Sequence, residues 1–320
     1  MIAKADFGFS LTAVLIAAFV GVPFLHSQGQ NITVVADAKN SPRPLVEASR
    51  YFELPPQRLK EAVPGLRGLK YDADQRQLPS ILAGVAKAIG DLMPRLPNLV
   101  SKEVVEHYQA GQDSVAWTSI SGGQPWNDEF RYLILVHHQS DGTAKIEELR
   151  TDSKGRPADA KGQATAPRGN GFAYQWLLFS AANQPEFQFR YLGQQDLEGR
   201  KTFVVAFAQD PAKVDDPAYF QSQGKTAPFY YQGVLWVDQS SFNIVKLRTD
   251  LLAPVPIVKL NQLTTEVSFR SVPIHGYDAV FWLPFEVYLS SDEGGGPVEE
   301  THLYSDYHLF HSESRIVPVQ

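Results

Sequence analysis

The chain has 320 residues, 43% of them hydrophobic and 20% charged, which is ample for a packed core and unlike the composition of a disordered chain. A formal net charge of −6, with no long run of Lys and Arg, speaks against a nucleic-acid partner, because phosphate binding needs a basic face. The absence of cysteine excludes disulfides, thiol catalysis, iron–sulfur clusters and thiolate zinc sites, and it suits an oxidising compartment.

In chain order, Lys4 precedes an apolar run from Leu11 to Leu25 interrupted by Thr12, Gly21 and Pro23, and the chain turns polar from Gln28. Residues 1–27 therefore read as a secretory signal peptide, with Leu25-His26-Ser27 at the cleavage point. Counted from Phe7 the run is also long enough to stay as an uncleaved anchor, and both fates stay open. The expected location is periplasmic or secreted, with membrane contact only through this segment if it is retained.

Residues 28–95 form a Pro-punctuated helical segment. A short helix is expected around Pro56–Val63. A longer one is expected where Leu78, Ile81, Leu82, Val85, Ile89 and Leu92 share a face, with Pro79 in the first turn and Pro94 at the end. Residues 98–108 fit either a helix or a strand by pattern, since Val100, Val104 and Tyr108 satisfy both periods.

Residues 96–312 are expected to be β-dominated. Strands are predicted over 113–121, 130–138 and 143–151, the last two joined at the Asp141-Gly142 turn. Residues 152–170 read as a loop, followed by a short amphipathic helix marked by Phe172, Trp176 and Phe179. Phe187, Phe189 and Tyr191 then alternate along a strand, Glu198-Gly199 turns the chain, and Phe203, Val205 and Phe207 return it. Residues 209–228 read as a polar loop. Phe281, Leu283, Phe285, Val287 and Leu289 give a further alternation, and Pro284 within it demands a sheet edge or a bulge. Gly294-Gly295-Gly296 makes the last turn.

Between these lies Phe229–Asp250, where aromatic and aliphatic runs flank the polar tetrad Asp238-Gln239-Ser240-Ser241. This hairpin, with its aromatic-Gly-aliphatic-Trp-Val-Asp run, resembles one in the LolA/LppX-like proteins, a lipoprotein-sorting type that recurs among bacterial secreted proteins of no assigned role. The run from Pro64-Gly65-Leu66-Arg67-Gly68-Leu69 to Leu96-Pro97-Asn98 resembles the front half of those same secreted proteins, in which a strand follows; this tips residues 98–108 to strand. The resemblance implies an incomplete barrel whose helices cover an apolar cavity. The expected fold is thus α+β and β-dominated, a strongly curved antiparallel sheet with covering helices, with a β-sandwich or closed barrel as the competing architectures.

Catalytic signatures are sparse. Gly224-Lys225-Thr226 lacks the glycine that a phosphate-binding loop needs five residues earlier, and no Gly-x-Ser-x-Gly elbow occurs. His137 and His138 are neighbours on a strand and point to opposite faces, while His302 and His308 share a face but lie ~20 Å apart. Asp306 and His308 supply two ligands, too few for a metal site, so no metal and no cofactor are expected. What stands out is 19 Phe, 13 Tyr and 5 Trp. If a cavity exists, Phe189, Tyr191, Phe203, Phe207, Trp236, Phe281 and Phe285 are the candidates to line it. The expected role is a non-enzymatic binding protein for a lipid, a lipoprotein acyl chain or another apolar molecule. The alternatives are a sensor or scaffold for an envelope protein, and a hydrolase whose site would gather Asp306, His308 and a Glu.

Overall fold

The computed structural model describes residues 50–109, 126–138, 144–158, 172–173, 175–222, 224–277 and 280–310. The N-terminal apolar run, the strand expected over 113–121 and the Asp141-Gly142 turn lie outside these residues.

In chain order the described elements are α1 (Pro56–Ala62), β1 (Lys70–Tyr71), α2 (Leu78–Leu92), β2 (Leu99–Gln109), β3 (Trp126–His138), β4 (Ala144–Thr151), β5 (Phe187–Leu197), β6 (Arg200–Gln209), β7 (Ala218–Ser222), β8 (Lys225–Phe229), β9 (Tyr231–Asp238), β10 (Ile244–Leu251), β11 (Gln262–Pro273), β12 (Val280–Asp292) and β13 (Pro297–Leu309). Eleven of the strands form one open, curved antiparallel sheet in the order β1-β5-β6-β9-β10-β11-β12-β13-β2-β3-β4, and β7 and β8 pair separately. Two meanders compose the large sheet. One runs from β5 to β13, the other from β2 to β4, and they join only where β13 pairs with β2.

Both faces of the sheet are covered at the β5 end by the chain that precedes it. On the outer face Leu59, Val63, Leu66 and Leu69 pack on Leu192, Val204, Ala206, Val234 and Trp236. On the inner face α2 buries Ile81, Val85 and Ile89 in the main core, the i, i+4, i+8 stripe that its sequence period demands. At about 1.5–3 kcal/mol per buried aliphatic side chain, that stripe contributes roughly 5–9 kcal/mol before entropy.

Between the two helices the chain turns round the edge of β5. Lys70 and Tyr71 pair with Gln194 and Gly193. The Gln75 side chain then takes the place of the next strand residue: its Nε2 donates to the Tyr191 carbonyl at 2.9 Å, and its Oε1 accepts from the Tyr191 N–H at 2.8 Å. Gly193 sits at φ 126° in the bulge beside this crossing, and a Cβ there would lie 2.0 Å from the Lys70 carbonyl oxygen. Only glycine lets the crossing come so close.

The β9–β10 hairpin forms as the sequence indicates. Asp238 Oδ1 accepts from the backbone N–H groups of Ser240 (3.0 Å) and Ser241 (2.8 Å), so it is a turn-making residue. Pro284 lies at a bulge: Phe269 pairs with Pro284 and Ser268 with Glu286, leaving Phe285 as the extra residue.

Three local expectations change. Residues 209–228 contain the β7–β8 hairpin, where Phe220, Ala227 and Phe229 find a small core of their own. The stretch around Trp176 and Phe179 is a 3₁₀ turn over Gln175–Phe179, not an α-helix, and a second such turn over Gln184–Glu186 includes Pro185. In β13 a register shift between Ser305 and His308, with Asp306 at φ 56°, reverses the alternation. His302 is therefore buried while His308 is exposed, and the two do not share a face.

Candidate functional site

Two features of the inner face carry unusual chemistry. The first is the apolar seam between α2 and the sheet. A cavity of about 20 Å³ is lined there by Val85, Ala88, Ile89 and Leu92 of α2, by Trp176 and Trp282, and by Phe242, Asn243 and Ile244 of the β9–β10 hairpin. Since about 10–15 Å³ of such space holds one water, this cavity accommodates a guest of that size and nothing larger without movement. The helix sits close because Gly84 faces the Phe242 ring, where a Cβ would come within 2.4 Å of Cδ1.

The seven aromatic residues singled out from the sequence divide between three places. Tyr191, Phe207 and Phe281 are fully buried in the inner core, and Phe189 and Phe203 are partly buried against it. They are knit by edge-on ring contacts, Phe179–Phe207 at 4.9 Å and Tyr191–Phe203 at 6.2 Å between centroids. Trp236 lies on the outer face. Its Nε1 donates to Gln195 Oε1 at 3.1 Å, and Gln195 in turn donates to the Gly65 carbonyl at 2.8 Å, so it anchors the outer covering segment. Phe285, at the bulge, stacks with the Arg270 guanidinium 5.5 Å from its ring centre.

The second feature was not anticipated: a file of buried ionisable side chains across β2, β3, β4 and β13. Glu103 Oε2 accepts from Arg150 Nε at 2.6 Å. Its Oε1 accepts from Arg150 Nη2 (2.9 Å) and the Tyr304 hydroxyl (2.7 Å), with His302 Nδ1 2.8 Å away. The other nitrogen of His302 lies 3.3 Å from Glu300 Oε2. Glu300 Oε1 is 3.3 Å from His107 Nδ1, and His107 Nε2 is 3.2 Å from Asp128 Oδ2. Strand register explains the alignment: Glu300 pairs with His107, Tyr304 with Glu103, and Tyr132 with Arg150. The Phe172 ring meets His302 edge-on at 5.0 Å, and its backbone N–H donates to the Tyr132 hydroxyl at 3.2 Å.

Burial opposes the ionisation of Glu103, yet the charge of Arg150 and the hydrogen bonds from His302 and Arg150 outweigh it and hold the carboxyl at about 2. His302 is raised above its ordinary value: burial disfavours its charge, but its contacts with Glu103 and Glu300 win. Glu148, next along β4 from Arg150 on the same face, is pushed up to about 8 by burial, against the Ala173 N–H and the Arg150 charge.

In the sequence the file is masked because, along its own strand, His302 is spaced to match His308 and its partners lie on other strands. The signal that was present is the alternation Glu103-x-Val105-x-His107 and Glu300-x-His302-x-Tyr304 on neighbouring strands. Asp306 and His308 gather no third ligand: His308 Nδ1 contacts the Asp306 backbone carbonyl at 2.7 Å and both residues are exposed. No group of three or more His, Asp or Glu is placed to hold a metal among the described residues, and no helix among them is long and apolar enough to cross a membrane.

No family model and no curated protein matches the chain. Among solved structures it is similar to an outer membrane lipoprotein-sorting protein domain from Vibrio parahaemolyticus, at 12% identity over 73% of this chain and 95% of that one, with a TM-score of 0.38. It is also similar to a DUF1329 family protein from Desulfovibrio piger, at 11% identity, the same coverages and a TM-score of 0.35. A chain of the Pseudomonas aeruginosa MucA/MucB complex aligns over 70% of this chain and 92% of its own, at 14% identity and a TM-score of 0.19. At these identities the likeness concerns the fold alone.

Proposed function

We propose that the protein is an exported, non-enzymatic binding protein that holds an apolar ligand, a lipid or a lipoprotein acyl chain, between α2 and the inner face of the sheet. The observation that carries this reading is the seam itself. It is largely apolar from α2 across to the β9–β10 hairpin, it already holds a partly open cavity of about 20 Å³, and its outer wall is a helix anchored by three buried side chains. None of the seven aromatic residues singled out from the sequence lines that cavity, but Phe189, Tyr191, Phe203, Phe207 and Phe281 belong to the same inner core and would border an enlarged one. An acyl chain would replace the contacts that the helix gives up, so opening and binding are coupled. Trp236 and Phe285 serve the scaffold in this reading.

The test is native mass spectrometry of the full chain after organic extraction, with and without added palmitate. A one-to-one adduct is expected from the wild type, and none from Ile89→Asp, which places a charge in the seam. A folded wild type that takes up no palmitate and yields no lipid on extraction would sink the reading.

A further inference from the structure

The buried file spans the one boundary where the two meanders of the sheet are joined. Its members come from both sides: Glu300, His302 and Tyr304 on β13, Glu103 and His107 on β2, Asp128 and Tyr132 on β3, and Glu148 and Arg150 on β4. On the far side of β13, β12 places Val287 and Leu289 opposite His302 and Glu300, so no charge reaches the file from that strand.

The position of His302 is decisive. His302 stands with one ring nitrogen 2.8 Å from Glu103 and the other 3.3 Å from Glu300. His107 continues the file, 3.3 Å from Glu300 and 3.2 Å from the partly exposed Asp128. A neutral imidazole has one N–H and no charge; an imidazolium keeps its Nδ1 contact with Glu103 and also sets a positive charge against Glu300, as an ion pair without hydrogen-bond alignment. We propose that the file is a proton-operated clamp: the meanders stay zipped at β2–β13 while His302 holds a proton between Glu103 and Glu300, and the β2–β13 join loosens when that proton passes to solvent.

Once His302 is neutral, Glu103 keeps Arg150 and Tyr304, but the attraction that draws Glu300 of β13 toward β2 through His302 is weakened, and lost ion pairing in the interior is destabilising. The raised His302 and Glu148 act in the same direction, because each keeps in the folded state a proton that it sheds more readily when exposed. Their contribution is full on the acid side and is lost as pH rises, so the clamp loosens on the alkaline side of neutrality. The clamp does not rest on the ligand reading and fails separately from it.

Hydrogen exchange on the full chain tests it, read as protection factors so that intrinsic chemistry is removed. Between about pH 6 and about pH 8.5, protection of the β2 and β13 amides is expected to fall ~10- to 100-fold, one factor of up to ten per pH unit for each proton released, while β6 and β9 stay unchanged. Equal protection of the seam at both pH values overturns the proposal. His302→Gln is expected to be as open at the lower pH as the wild type is at the higher one; retention of wild-type protection by this variant overturns it as well. Should His302→Gln not fold, nuclear magnetic resonance of the wild-type imidazole decides: a titration midpoint shared with the loss of seam protection supports the clamp, and separated midpoints overturn it.

Discussion

At the scale of single residues, Glu103 is the point on which the sheet seam turns. It is wholly buried and its two oxygens meet Arg150, His302 and Tyr304 at hydrogen-bonding distance. Removing one partner of a buried pair leaves the other charge stranded, which costs more than the pair contributes. Glu103→Ala is therefore expected to lower stability by about 3–5 kcal/mol, measured as a fall in the urea midpoint at constant slope. Arg150 would be left above the faces of Tyr132 and Phe172, at 5.4 and 5.8 Å from their centroids, which offsets only part of the loss.

At the scale of elements, the edge of β5 is protected by a side chain in place of a strand. Gln75→Ala would release the Tyr191 N–H and carbonyl to solvent or to another chain. The expected outcome is a loss of about 1–2 kcal/mol together with concentration-dependent association, read by sedimentation velocity. The elements differ in how far the sequence announced them. α2 and the β9–β10 hairpin were legible because each carries an undiluted period, Ile81-Val85-Ile89 at helical spacing and a polar turn between two apolar runs. The β7–β8 hairpin was hidden because its strands are five residues long and one contains Pro228. The ionic file was hidden for a sharper reason. Polar residues alternating on β13 suggest a solvent face, yet Glu300, His302 and Tyr304 point inward and Leu303 is exposed. Pairing with β2 and β4 across long stretches of sequence makes burial tolerable, and no local pattern reports that.

At the scale of the whole molecule, titration should bound stability on both sides. The folded Glu103 carboxyl, at about 2, lies below its ordinary value of 4.5, so its contribution is present above that value and fades as pH falls toward 2. That limb amounts to roughly 3 kcal/mol. Glu148, raised to about 8, and His302, raised above its ordinary value, impose the opposite limb, which fades as pH rises through neutrality. The melting temperature plotted against pH is expected to pass through a maximum between those limbs, and a profile that keeps climbing above pH 8 would contradict this assignment.

The pairing of β13 with β2 has one more consequence, and it concerns the moment of synthesis. Glu103 and Tyr304 are 201 positions apart, and Tyr51 reaches Gln232 across 181. A ribosome releasing this chain from its N-terminus presents β2 with a bare edge, and Glu103 with Arg150 but without Tyr304 and His302, long before β13 exists. Only when the last strand emerges can the two meanders close on each other. Until then the nascent chain depends on whatever holds it apart from its neighbours.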